Sequence, residues 1–226
     1  QTILTIHFGM PVADKNIRSL YRLIIFGFLF FVSCEPTSNH DVNNAEIKTF
    51  IELNASDYTV SSTDSSLFGG QFQRFSFSEG DTVSHDNWDV AFRGTTLIVN
   101  GGKKANNDQP DRSGNAAVYI DIGSMSQINS VDTSRLLQDN SSGSAILNNT
   151  MIDDLGVSGQ GWASYSFSTH LFSPRSSRIL VFRTHNDKYA KMEIIYFYDS
   201  PNPQPSQGDY GGFYTFNYVY QVDGTT

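Results

Sequence analysis

The stretch RILVFRTHNDKYAKMEIIYFY, Arg178 to Tyr198, decides the fold. Two runs rich in β-branched and aromatic residues, Arg178 to Thr184 and Tyr189 to Tyr198, flank the polar turn His185-Asn186-Asp187-Lys188. That arrangement predicts an antiparallel hairpin. A third strand, GFYTFNYVYQV, runs from Gly212 to Val222 and puts Tyr214, Phe216, Tyr218 and Tyr220 on one face. Residues 162–226 hold 15 of the chain's 30 aromatic residues (17 Phe, 11 Tyr, 2 Trp), so this system is expected to supply most of the core.

Working back toward the N-terminus, the pattern stays β. Lys48 to Leu53 and Tyr58 to Ser61 are short alternating segments. QFQRFSFS, Gln71 to Ser78, places Phe75 and Phe77 on one face and Phe72, Arg74 and Ser76 on the other. Glu79-Gly80-Asp81 gives a turn. Trp88 to Arg93 and Thr96 to Val99, parted by Gly94, read as one kinked strand or two short ones. Gly101 to Asn115 is a loop by composition, and Ala116 to Ile122 is a strand. Gln127 to Gly161 is the least patterned region and reads as short helical turns and long loops, a length that is often functional. No segment carries a convincing amphipathic helix. The fold class is all-β: antiparallel sheets in a sandwich or an open barrel-like domain, with long central loops and little helix.

The N-terminal part has a different character. RLIIFGFLFFVSC, Arg22 to Cys34, has a cationic start, an apolar run from Leu23 to Val32, a small residue and then the only cysteine. This is the layout of a lipoprotein signal, with the thiol of Cys34 as lipid acceptor. The apolar run is well short of the ~20 residues that span a bilayer. Met10 is the expected start, with residues before it lying upstream. Residues 1–33 are then a signal, 34–46 (CEPTSNHDVNNAE) a lipidated tether, and 47–224 a single β domain. Removing three basic residues and one acid leaves 12 Lys+Arg against 22 Asp+Glu, which argues against a nucleic-acid partner. With Cys34 lipidated, no thiol remains for a disulfide or a nucleophile.

Catalytic signatures are missing. Gly156-Val157-Ser158-Gly159 is one glycine out of register for a nucleophile elbow, and no metalloprotease, phosphate-loop or dinucleotide motif occurs. An enzyme is therefore not expected. Asn107 to Asn115 offers oxygen ligands, but Pro110 and Arg112 stand where a calcium loop does not tolerate them. Asp153-Asp154 falls in a polar loop. His85 and His185 are expected in solvent. His170, in GWASYSFSTHLFSP, sits beside Phe167, Leu171 and Phe172, and an uncharged imidazole among apolar groups suits a metal. Met125 and Met151 are thioether donors that suit haem iron, although methionine is also a common gap-filler.

Several segments matter together. They are Phe75-Ser76-Phe77-Ser78-Glu79-Gly80, Asn87-Trp88-Asp89-Val90-Ala91-Phe92-Arg93 and Val99-Asn100-Gly101-Gly102. Gly161-Trp162 with Tyr165 comes next, then Arg183-Thr184 ahead of Lys188-Tyr189-Ala190-Lys191. Tyr214-Thr215-Phe216 through Tyr218-Val219-Tyr220-Gln221 closes the series. In this order they resemble the HmuY family of haem-binding lipoproteins of the Bacteroidota, over roughly residues 50–222. It implies a non-catalytic haemophore-like lipoprotein of the cell envelope, lipid-anchored to the outer membrane, that captures haem for iron acquisition. An outer-membrane haem receptor is the implied partner.

The resemblance also implies two axial ligands from loops at one end of the β structure, histidines in the best-known type and methionines in others. His170 takes the second position. No histidine lies between His85 and His170, so the first falls to Met151, or next to Met125, giving His/Met ligation. Lys103, Lys104 and Arg175 are cations suited to the propionates. Two rivals remain open: a surface lipoprotein that keeps the fold, binds no haem and acts in protein interaction, and a glycan-contacting module using Trp162 and Tyr210.

Overall fold

Alternating sequence makes strands, and the strands follow in the order β1 (Lys48–Asn54), β2 (Gln73–Ser76), β3 (Asp81–Val83), β4 (Val90–Arg93), β5 (Thr96–Val99) and β6 (Ala117–Ile122). After them come β7 (Ile152–Asp154), β8 (Ala163–Ser166), β9 (Leu171–Pro174), β10 (Arg178–Arg183), β11 (Tyr189–Tyr198) and β12 (Gly211–Gln221). This computed structural model describes residues 46–56, 70–140, 152–154, 161–199, 204–206 and 209–221. The signal, Cys34 and nearly all of the tether lie outside the described residues, as does Met151. Among the described residues a 3-10 turn, Thr133–Arg135, is the helical element, and no helix is long and apolar enough to cross a membrane.

The strands form a five-stranded sheet (β1-β12-β11-β10-β6), a four-stranded sheet (β3-β2-β4-β5) and a small sheet (β7-β8-β9). The first two face each other across the main core, and each is open at its edges, so the all-β domain is a sandwich. In β12 Gly212, Tyr214, Phe216 and Tyr218 are buried at the expected period of two, Tyr220 on the same face is half-buried, and Val219 is buried on the other face. From the opposite sheet Phe75, on β2, inserts its ring 5.2 Å from Phe216 and 5.5 Å from Tyr218, edge to face. Phe92, on β4, meets Tyr214 at 4.8 Å. Each such pair adds about 0.5–1.5 kcal/mol beyond the burial of its area. Gly94 turns β4 into β5 at φ +52°, a backbone that favours glycine, and its carbonyl accepts a hydrogen bond from Tyr214 Oη at 2.8 Å. Two short strands, rather than one kinked strand, are the outcome there.

One expectation changes, and two expected loop segments prove to be packed or anchored. Asp153-Asp154, read as polar loop, belongs to β7, which pairs parallel with β8 (Ile152 with Ala163, Asp154 with Tyr165). Short polar strands lack the apolar alternation that marks a strand in sequence. The span 123–138 is loop with one 3-10 turn, as expected from Gln127 onward, and it is packed: Met125, Ile128, Val131 and Leu136 lie with Tyr119, Ile179, Val181 and Val219 on the outer face of the five-stranded sheet. Lys191 Nζ secures it by donating to the carbonyls of Met125 (2.6 Å) and Ile128 (2.7 Å), and burial pulls its pKa down. Finally, the Gly101–Asn115 loop is anchored by a buried ion pair between Arg112 and Asp139.

Candidate functional site

The β8–β9 hairpin carries the candidate ligand His170. Its turn is closed by His170 N donating to Ser166 O at 2.7 Å, with Thr169 N reaching Ser166 Oγ at 3.3 Å. His170 itself stands at φ +59°, the left-handed region that costs a non-glycine residue about 1–2 kcal/mol. The side chain is exposed, and its Nδ1 lies 2.7 Å from Tyr165 Oη. Nε2 is then the ring atom left for an outside partner. An imidazole held by one nitrogen and open at the other fits a single axial bond to iron.

The ground around His170 is aromatic. Phe167 is 53% exposed, and its ring stands edge-on to Tyr165 at 5.2 Å. Tyr165 meets Phe172 at 4.8 Å, Phe172 meets Phe197 at 5.8 Å, and Phe197 meets Trp162 at 5.6 Å. Rings thus run from the exposed turn into the core. Tyr198 ties β9 to β11 by accepting the Phe172 N–H at 2.6 Å, and burial pushes its phenol pKa up. The turn therefore presents the exposed Phe167 ring and an imidazole on a hairpin rooted in the core.

The other candidates are placed differently. Met125 is 6% exposed and packed inside the cluster under span 123–138, so its sulfur belongs to the core. Its neighbours along the chain are loop-like, and only packing on the outer sheet face buries it. Trp162, expected as a loop aromatic, is 1% exposed and lies against Phe197 and Tyr214, which removes it from any glycan-contacting surface. Tyr210 is exposed. Lys104 pairs with Asp111 at 2.6 Å, Lys103 is exposed, and Arg175 N bonds Trp162 O. Among the described residues no group of three or more His, Cys, Asp and Glu gathers to hold a metal ion, the Asn107–Asn115 loop included.

His185 departs from the solvated turn residue expected of it. Its backbone N (2.7 Å) and its Nδ1 (2.8 Å) both meet Oδ1 of Asp89, which is buried. The bond to Asp89 raises the His185 pKa above its ordinary value, burial opposing, with further support from the Asp89 and Glu79 charges. A raised histidine pKa stabilises the fold fully below about pH 6.5 and loses that contribution as pH climbs through the folded value. The urea midpoint of the wild type is therefore expected to exceed that of His185→Gln by more at pH 6 than at pH 9. A gap that is equal at both would show that the charge on His185 contributes nothing. His85, by contrast, is half-exposed as expected, beside Glu79 at 3.1 Å.

Tyr165 is the site residue that chemistry-seeking sequence reasoning passes over. Its signal was present, five residues before His170 in an aromatic hairpin, but a hydrogen bond between them is visible only once the turn is closed.

No family model matches the chain, and no curated protein does. Among solved structures, the chain is similar to a Bacteroides fragilis protein proposed to be a lipoprotein, at 16% identity and a TM-score of 0.41, over 66% of this chain and 83% of that one. It is also similar to a Bacteroides vulgatus protein proposed to be an HmuY-like haem-binding protein, at 13% identity and a TM-score of 0.45, over 78% of this chain and 92% of that one.

Proposed function

We propose that this chain is a non-catalytic haem-binding lipoprotein of the cell envelope, anchored by lipid on Cys34, that captures haem and passes it to an outer-membrane receptor. The observation that carries the reading is His170: an exposed imidazole, gripped at Nδ1, on a hairpin whose Phe167 ring is exposed and whose Tyr165 and Phe172 rings are half-buried. The ordered segments that resemble the HmuY family support it from the sequence side. Haem supplies iron with open axial positions at the centre of a planar apolar ring. His170 Nε2 is the axial donor in this reading, and Phe167 lends apolar surface. Met151 is the second axial candidate.

The test is a titration of the mature domain, residues 34–226, with haemin, oxidised and reduced. A Soret shift is expected in the wild type. His170→Ala should weaken binding by at least about 100-fold, the upper range for loss of an outer-shell partner. No shift, or a shift that His170→Ala leaves intact, sinks the assignment.

A second reading has one observation in its favour, the burial of Met125, which removes a ligand candidate. In it the chain is a surface lipoprotein with the same fold that binds no haem and acts by protein or glycan contact. Exposed Tyr210 is then the aromatic to watch. A silent glycan array together with a Soret band on the native protein would exclude it.

A further inference from the structure

We infer that Tyr165 is the positioning residue of this site: it holds the His170 ring by Nδ1 and leaves Nε2 as the outward ligand atom. What Nε2 meets rests on the haem reading; the pinning belongs to the hairpin alone. His170 is drawn to β8 twice, by its backbone N on Ser166 O and by its ring on Tyr165 Oη, at 2.7 Å in each case. His170 holds a left-handed backbone, φ +59°, where glycine would avoid a cost of about 1–2 kcal/mol.

Tyr165 is itself held. Its ring lies between Phe167, edge-on at 5.2 Å, and Phe172, tilted at 4.8 Å. The phenol oxygen therefore meets the imidazole from a fixed base. A hydroxyl suits both states of the ring, because it donates to a bare Nδ1 and accepts from Nδ1–H. A histidine that bonds a metal through Nε2 carries its remaining proton on Nδ1 and gives it to an oxygen, which orients the ring and strengthens the ligand. Tyr165 Oη is the oxygen placed to receive it.

Tyr165→Phe keeps the ring and its aromatic contacts and removes only the hydroxyl. Two measurements follow, both on residues 34–226. Nitrogen NMR of His170 in the haem-free protein at fixed pH should show the Nδ1 resonance and the tautomer ratio changing in Tyr165→Phe. Haemin affinity should fall about 10–100-fold, the usual worth of an outer-shell partner, with the Soret position kept because His170 is still the ligand. Unchanged His170 resonances overturn the inference whether or not haemin binds. Loss of binding in Tyr165→Phe with binding kept in His170→Ala also overturns it, since the phenol would then be the ligand. A wild type that binds no haemin removes the haem reading, and the NMR result alone then decides the pinning.

Discussion

Asp89→Ala is expected to destabilise the domain by about 3–5 kcal/mol, the usual cost of breaking a buried charge pair. Asp89 is 1% exposed, and both its carboxylate oxygens are used. Oδ2 accepts the Phe77 N–H at 2.7 Å, holding the turn that follows β2. Oδ1 accepts the His185 N–H and Nδ1, holding the β10–β11 turn from the opposite sheet. One side chain thus ties the two layers of the sandwich together. Alanine leaves two backbone donors without acceptors, each costing about 1–3 kcal/mol where water cannot reach it. Asp89→Asn should be milder, since an amide oxygen still accepts while its NH2 faces a donor. Urea unfolding of the mature domain measures both. A cost under about 1 kcal/mol for the alanine variant would mean that water replaces the carboxylate there.

Arg112→Met should cost a similar amount, about 3–5 kcal/mol, for a related reason. Arg112 and Asp139 are almost fully buried, and Arg112 Nε (3.1 Å) and Nη2 (2.8 Å) both reach Asp139 Oδ2. The guanidinium also donates to Gln109 Oε1 and Pro110 O, and lies 5.5 Å from the Trp88 ring. Asp139 Oδ2 in turn accepts the Val99 N–H at 3.1 Å. Removing Arg112 strands a buried carboxylate and frees the 101–115 loop from β5. Arg112→Met with Asp139→Leu should cost less than the two single changes added, because no charge is then left unpaired. Additive losses would show that the two residues do not act as a pair. The aromatic core should survive in both variants, so the far-UV spectrum is expected to keep its β character.

These two anchors also sort the segments that resemble the HmuY family. Trp88 is fully buried, and Asp89 joins the sheets. Asn100 donates to the carbonyls of Asp86 and Trp88 and accepts the N–H groups of Ser113 and Gly114. Lys191 secures the 123–138 span. Every one of these residues is engaged in holding the fold. The haem proposal therefore rests on His170 and the partly exposed aromatic hairpin that carries it.

Local sequence settled whatever depends on neighbours a few residues apart. The period of two in β12, the opposite faces of Phe72 and Phe75, the turn after Arg183 and the all-β class were all legible. Burial on one face of a strand imposes that alternation directly. Contacts between distant residues leave no periodic trace. Asp89 meets His185 across 96 positions and Arg112 meets Asp139 across 27, so a strand, a turn and two loops showed nothing of these pairings. Met125 and Trp162 were misjudged for the same cause, since their cover comes from other strands. The sequence by itself determined most of the strands, the faces of their aromatic residues and the candidate His170. Only the tertiary structure decided which polar groups are buried and paired, and that Tyr165 holds the imidazole, because burial and hydrogen bonding depend on what the folded chain brings into contact.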